Sequence, residues 1–169
     1  MQNHFELFNL PQQFAVDAGA LDSAYRDVQS RVHPDKFVNA TDAEKRVAMQ
    51  WATRANEAYQ TLKNPQKRAQ YMCELNGVDL QTESNTSMPM AFLMQQMEWR
   101  ESLDDASDVG EIDGLQATVD AARARALSSL DWLIDEKGDF VAASQQVRAL
   151  MFIERFAEDV EARTDQWGQ

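Results

Sequence analysis

Cysteine and histidine, the residues that build most protein metal sites, are almost absent from this sequence. Its 169 residues include one cysteine, Cys73, and two histidines, His4 and His33. A single cysteine cannot form an internal disulfide, which favours a reducing compartment. A structural zinc site or a protein-ligated iron–sulphur cluster needs about four Cys or His ligands. The sequence therefore predicts no metal site and no cofactor of its own.

Long apolar runs and strand-like patterns are also missing. No apolar run approaches the roughly 20 residues that a membrane-spanning helix needs, and the N-terminus lacks the basic and apolar regions of a secretory signal. Only six glycines and four prolines are present, and β-branched residues do not alternate along the chain. We therefore expect an all-α protein that is soluble, intracellular and not associated with a membrane.

Acidic residues exceed basic ones, and the excess lies in one half of the chain. The net charge of −12 argues against a nucleic-acid binder, because phosphate contacts need a basic surface. Residues 1–76 carry nine charges of each sign, whereas residues 77–169 carry seven basic and nineteen acidic residues. This change falls at a helix-stop pair, Asn76-Gly77. It predicts an N-terminal domain over 1–76, a linker over 77–86 and a C-terminal domain over 87–169.

Local signals predict three main helices in the first half, over 18–32, 41–63 and 64–77. Each helix has a residue suited to capping at its N-terminal end: Asp17 directly precedes the first, and Thr41 and Asn64 open the second and third. Pro34 ends the first helix because a proline forces the preceding residue out of helical geometry. A loop is therefore expected over 33–40.

Three further helices are expected in the second half, over 87–105, 112–135 and 140–164. Apolar residues recur there at helical spacing. In the middle helix they are Ile112, Leu115, Val119, Ala122, Ala126, Leu130 and Leu133, and in the last helix they are Leu150, Ile153, Ala157 and Val160. Because the connections are short, the three helices should form an antiparallel bundle.

The tripeptide His33-Pro34-Asp35 is the first candidate for function. Taken alone, it is typical of a helix end followed by solvated loop residues. A catalytic His33–Asp35 pair is a weaker interpretation, because no serine or cysteine nucleophile lies in a recognisable motif.

The surroundings of this tripeptide form an ordered set of motifs. His-Pro-Asp-Lys lies between two long predicted helices, and Asn56-Glu-Ala-Tyr-Gln-Thr-Leu62 and Asn64-Pro-Gln-Lys-Arg-Ala-Gln-Tyr71 follow it. Over about residues 1–76 the set resembles the J domain of DnaJ-type co-chaperones. The resemblance implies an activator of a DnaK-type ATPase rather than an enzyme.

The same resemblance implies which residues contact the chaperone. His33, Pro34, Asp35 and Lys36 would dock at its nucleotide-binding domain and linker, and Arg26 and Arg31 would supply a basic helix face. Asp22 and Asp27 dilute that face. A solvated helix surface is an equally good interpretation of each arginine by itself.

The helix around residues 92–101 carries more apolar residues than one core face needs. At about 100° per residue, Phe92, Gln96, Trp99 and Leu103 share a narrow stripe, whereas Leu93 and Met97 lie roughly 100–140° away and Met94 near 200°. Acids lie beside them at Glu98, Glu101 and Asp105. Periodicity favours equally a partner surface and a wide core that covers Leu93 and Met97. By the same test, Phe152 is either a peripheral core aromatic or part of that surface.

The whole chain resembles the HscB family of J-type co-chaperones, which act in iron–sulphur cluster assembly. The matching segments are Phe5-Glu-Leu-Phe-Asn-Leu-Pro11 and the stretch from Phe92 to Glu101. In that family the C-terminal bundle binds the scaffold protein IscU and delivers it to the chaperone HscA. The matching scaffold-binding positions are Leu93, Met94, Met97, Glu98, Glu101 and Phe152, with Asp105 where a glutamate is common.

This sequence departs from the family pattern at a few positions. Gln95 and Ser102 replace frequent acids, and Trp99 replaces a frequent leucine. The metal-binding cysteine motif of some eukaryotic relatives is missing, so we expect no metal. The resemblance implies a bacterial, cytoplasmic co-chaperone. Three other interpretations stay open: a J-domain co-chaperone for a different client, a hydrolase using His33 and Asp35, and a purely structural helical protein.

Overall fold

The computed structural model describes residues 2–80 and 88–167. Every regular element in these ranges is helical, which confirms the predicted all-α class. The main helices are α1 (His4–Leu7), α2 (Ala18–Arg31), α3 (Asp42–Lys63), α4 (Pro65–Leu75), α5 (Met90–Asp105), α6 (Val109–Asp131) and α7 (Phe140–Trp167). Most of the predicted linker, and residue 87 at the predicted start of the C-terminal domain, lie outside the described residues.

Two compact units make up the chain, Met1–Tyr71 and Met72–Gln169. The contacts therefore divide the chain slightly before Asn76-Gly77, where the charge changes. The end of α4, which includes the buried residues Met72 and Cys73, belongs to the second unit. The division of the chain into an N-terminal functional domain over 1–76, a linker over 77–86 and a C-terminal functional domain over 87–169 stays a prediction.

Side-chain caps set the helix starts of the first unit as the sequence predicts. The carboxylate of Asp17 accepts from the backbone N–H groups of Gly19 and Ala20. The hydroxyl of Thr41 accepts from the N–H of Glu44 at 3.1 Å, and Asn64 accepts from the N–H of Lys67 at 3.1 Å. Each cap satisfies an N–H group that the helix itself leaves without a partner.

The two long helices of the first unit form an antiparallel hairpin. Small residues on α3, including Ala55 and Ala58, are buried and let α2 approach closely. Tyr25 of α2 and Tyr59 of α3 also join the two helices, since their rings stack with centroids 4.1 Å apart. The Tyr59 hydroxyl also donates to Asp22 at 2.7 Å. The hairpin fixes the direction in which the turn between α2 and α3 points.

That turn is more ordered than the predicted loop over 33–40. Residues Pro34–Phe37 form one turn of 3-10 helix. Proline suits its first position, since its missing N–H would have no partner there. The turn closes when the N–H of Lys36 donates to the carbonyl of His33 at 2.9 Å.

The second unit contains the predicted bundle, in which helices that follow each other along the chain are antiparallel. The apolar stripe of α6 is buried from Ile112 to Leu130, and α7 buries Leu150, Ile153 and Val160 against it. Arg123 of α6 pairs with Glu154 of α7 at the edge of this core. The stripe positions predicted from sequence therefore face the core, with Leu115 and Ala157 at its half-buried margin.

Four predicted boundaries in this bundle are wrong by a few residues. Helix α5 begins at Met90, directly after its N-terminal flanking residue Pro89, rather than at residue 87. Helix α6 begins at Val109 rather than Ile112, because Asp108 caps it by accepting from the N–H of Glu111 at 2.8 Å. Its predicted end, up to Asp135, is instead a π-helical segment, Trp132–Lys137, which closes at Gly138 with a positive φ of 68°. Helix α7 continues to Trp167 rather than ending at Thr164.

Cys73 is fully buried in the second unit. Its thiol lies 3.7 Å from the carbonyl oxygen of Phe140. Burial raises the pKa of the thiol from 9.0 to about 11.

We expect the Cys73 thiol to react with a disulfide reagent at pH 8 about a hundredfold more slowly in the native protein than in the unfolded chain, because the thiolate is the nucleophile. The raised pKa also gives a pH dependence. The contribution of the buried neutral thiol to the free energy of unfolding is fully present below pH 9 and is lost as the pH rises toward 11. Stopped-flow labelling with and without urea measures the first effect, and the single cysteine makes the signal unambiguous. Rapid stoichiometric labelling of the native protein would contradict the burial.

Candidate functional site

The first candidate surface is the corner formed by His33, Pro34 and Asp35. His33 is extended, with φ −60° and ψ 136°, as a residue before proline should be. Its Nδ1 accepts from the backbone N–H of Asp35 at 3.2 Å and caps the 3-10 turn. Both side chains face solvent, with 58% of His33 and 90% of Asp35 exposed. The corner is therefore stiff in its backbone and open to a partner.

The geometry of the corner favours binding over catalysis. The Nδ1 atom of His33 lies 3.6 Å from Oδ2 of Asp35 but is already occupied by the backbone N–H. A catalytic histidine needs one nitrogen oriented by its carboxylate and the other aimed at a nucleophile. Here the imidazole instead holds the turn, while the Asp35 carboxylate projects freely and can pair with a cation on another protein.

The basic side chains predicted beside the corner have different surroundings. The Lys36 ammonium donates to the Ser30 hydroxyl at 3.2 Å, so it is held near the corner by a neutral group. The Arg31 guanidinium forms an ion pair with Asp27 at 2.7 Å. Arg26 is exposed on α2. Asp27 thus reduces the positive charge of the predicted basic face through a direct ion pair with Arg31. Asp22 instead accepts a hydrogen bond from the Tyr59 hydroxyl within the hairpin.

The second candidate surface lies on the outer side of α5. The predicted stripe packs inward, with Trp99 and Leu103 buried. The surplus apolar residues face outward, and 39% of Leu93, 56% of Met94 and 66% of Met97 is exposed. Of the two interpretations left open by periodicity, the wide core that covers Leu93 and Met97 is therefore wrong.

Phe152 belongs partly to the core and partly to this surface. Its ring meets Phe92 of α5 edge-on, with centroids 5.8 Å apart, and 41% of the side chain is exposed. Phe92 thereby ties α7 to α5 and places Phe152 beside the exposed residues of α5. We call the group Leu93, Met94, Met97 and Phe152 the apolar face.

The three predicted acids line a groove between α5 and α6. The groove, of about 640 Å³, is lined by Glu98, Glu101, Ser102, Asp105, Glu111, Gly114, Leu115 and Thr118. Glu111 also has a structural role, since its carboxylate accepts from the N–H of Ser107 at 2.6 Å. Acids beside an apolar surface favour a partner with basic residues around an apolar patch. Sequence reasoning did not find the α6 wall, because nothing local to α6 indicates which helix packs beside it.

Met90 was also missed, although the sequence contains its signal. It lies one turn before Met94 at the start of α5, and 70% of it is exposed. On a helical wheel it falls within about 40° of Met94 and Met97. The same spacing test that selected those two residues would have selected Met90.

Two absences hold for the described parts of the chain. No group of three or more His, Cys, Asp or Glu side chains in 2–80 and 88–167 is placed to hold a metal ion. None of the helices in those ranges combines the length and the apolar character needed to span a membrane.

A helical hairpin whose connecting turn presents an exposed His-Pro-Asp corner is the architecture of a J-domain protein. The family model of the DnaJ domain matches residues 3–71, and that of the HSCB C-terminal oligomerisation domain matches residues 88–161. The chain belongs to the HscB family, the J-domain co-chaperones of iron–sulphur cluster assembly.

Curated relatives match over nearly the full chain. The "Co-chaperone protein HscB homolog" of Burkholderia multivorans is 56% identical over 167 residues, covering 96% of this chain and 94% of its own. The protein of the same name from Ralstonia nicotianae is 54% identical over 165 residues, with the same coverage. These relatives are named as co-chaperones rather than as enzymes.

Solved structures of the family have the same fold. The chaperone HscB from Vibrio cholerae superposes with a TM-score of 0.86 at 36% identity, over 98% of this chain and 99% of its own. The human co-chaperone protein HscB superposes with a TM-score of 0.90 at 25% identity, over 96% of this chain and 82% of its own. These matches confirm the predicted architecture of a J domain followed by a helical C-terminal domain.

Proposed function

We propose that this protein stimulates the ATPase of the DnaK-type chaperone HscA and delivers the scaffold protein IscU to it, in the bacterial cytoplasm, without catalysing a reaction itself. The observation that carries the proposal is that both predicted contact surfaces are exposed on one chain. The corner at His33 is open to solvent, and so is the apolar face around Met97.

The corner acts on the chaperone by differential binding. A ligand shifts a conformational equilibrium only by the difference in its affinity for the two states. His33, Pro34 and Asp35 form a preorganised turn, so little conformational entropy is lost when the turn docks. If they bind the hydrolysing conformer of HscA more tightly than the resting one, ATP turnover rises without any proton transfer by this chain.

The apolar face and its acids act on the scaffold. Leu93, Met97 and Phe152 supply exposed apolar area, and methionine side chains adapt to the shape of a partner. Glu98 and Glu101 supply negative charge beside them. Burial of the apolar area provides most of the affinity, and the carboxylates orient the scaffold and accelerate its encounter.

Joining both surfaces in one chain raises the effective concentration of scaffold at the chaperone. The test is the steady-state ATPase rate of HscA with this protein alone, with IscU alone and with both together. We expect stimulation by both together to exceed the product of the separate effects. A simple product would contradict delivery, and capture of another client in place of IscU by the full chain would favour a J-domain co-chaperone for that other client.

A further inference from the structure

Three methionines form an exposed ridge along the outer side of α5. They are Met90, Met94 and Met97, which are separated by four and three residues and are all more than half exposed. We call these three residues the methionine ridge. Elsewhere in the described chain, Met72 is buried, Met88 and Met151 are half-buried, and Met49 is exposed on α3 in the other unit. Exposed thioethers are thus concentrated on the surface that we propose for the scaffold.

A thioether on such a surface is open to a specific covalent change. A peroxide transfers one oxygen atom to the sulphur, the O–O bond breaks, an S=O bond forms, and water leaves when the oxidant is hydrogen peroxide. The sulphur loses two electrons and the peroxide gains them, so no further reactant is needed. Methionine sulphoxide reductases reverse the change.

We infer that the methionine ridge is an oxidation-sensitive switch, in which sulphoxide formation at Met90, Met94 and Met97 releases the scaffold protein and reduction restores binding. The inference rests on the proposed function, because it assigns regulation to the same surface. It also makes Met90 part of the scaffold contact.

The physical reason is the cost of burying the new oxygen atom. A sulphoxide is a strong acceptor, and the other two members of the apolar face, Leu93 and Phe152, have no side-chain donor to offer it. Closing an apolar partner over the ridge would remove water from that oxygen without replacing its hydrogen bonds. We expect oxidation of the ridge to weaken scaffold binding about tenfold or more.

The experiment uses the full chain and hydrogen peroxide as the oxidant. The protein is oxidised alone, freed of peroxide and only then titrated with IscU, so that the scaffold is never oxidised. The test variant is Met90→Leu/Met94→Leu/Met97→Leu, which keeps the apolar volume but cannot form sulphoxides. The matched control is Met49→Leu, which removes an equally exposed methionine that belongs to the first unit. Peptide mass spectrometry follows oxidation of each methionine, and each single Met→Leu variant is titrated in case the triple variant binds poorly before oxidation.

Support requires three results: the ridge oxidises faster than Met72, oxidised wild type and oxidised Met49→Leu lose affinity relative to their own untreated forms, and oxidation does not change the affinity of the triple variant, whatever its untreated value. Recovery after sulphoxide reductase treatment gives further support. Undiminished affinity of a wild type whose ridge is oxidised would overturn the switch, and so would equal loss in the triple variant. Failure of untreated wild type to bind IscU is a separate result and refutes the proposed function instead.

Discussion

His33→Gln should abolish stimulation of the chaperone ATPase while leaving the fold intact. Coupling between two binding partners typically changes a rate or affinity roughly 5–150-fold, and the variant should reduce the stimulation to about onefold. Glutamine keeps a polar side chain but cannot present the imidazole edge beside Asp35. His33 is exposed, so the loss of its turn-capping bond should cost only about 1 kcal/mol.

The measurement is the ATPase rate of HscA against variant concentration, with helical circular dichroism and thermal unfolding on the same samples. Asn39→Ala is the matched control, since Asn39 is an exposed polar residue in the same connection between α2 and α3. It should stimulate like the wild type. Undiminished stimulation by His33→Gln would assign no role to the corner, and loss of helical signal would attribute the defect to folding.

A combined Leu93→Ala, Met97→Ala and Phe152→Ala variant should lose scaffold binding and keep the stimulation that the chain produces without scaffold. The three side chains are large and partly exposed, and truncation of a few central apolar residues often removes most of the energy of an interface. We expect the dissociation constant for IscU to rise about a hundredfold or more. Some stability is lost as well, because the edge-on contact between Phe152 and Phe92 contributes about 0.5–1.5 kcal/mol.

Calorimetric titration with IscU measures the affinity, and thermal unfolding shows that the variant is folded at the working temperature. The control is Trp132→Ala/Val141→Ala, which removes exposed apolar side chains of the same unit near the connection between α6 and α7. It should bind IscU normally. If the triple variant binds as tightly as the control does, the apolar face is not the scaffold contact.

Features encoded within a few residues could be predicted from the sequence. Asp17, Thr41 and Asn64 each cap the helix that the sequence assigned to them, because a cap depends on the residue and the two or three that follow. Spacing alone likewise placed Trp99 and Leu103 in the core. The resemblance to known families rests on the same short motifs, which is why it identified the class of protein.

Features that depend on distant parts of the chain could not be predicted. The exposure of Leu93 depends on how close α7 lies to α5, which the sequence of α5 does not contain. The α6 wall of the acidic groove has the same origin. The π-helical segment at Trp132–Lys137 departs from the regular spacing on which the prediction was built. Met90 is different, because its spacing from Met94 and Met97 was sufficient to predict that it lies on the same side of α5. The scaffold-binding positions implied by the resemblance did not include it.

The proposed delivery requires one chain to carry both the corner and the apolar face, because it depends on the connection between them. The most direct test mixes two defective proteins, His33→Gln and the Leu93/Met97/Phe152 alanine variant, with HscA and IscU. The mixture then contains a working corner and a working apolar face, but on different molecules. We predict that the mixture shows no synergy between scaffold and co-chaperone in ATPase rate, whereas the wild type at the same total concentration does. Restoration of wild-type synergy by the mixture would contradict that requirement.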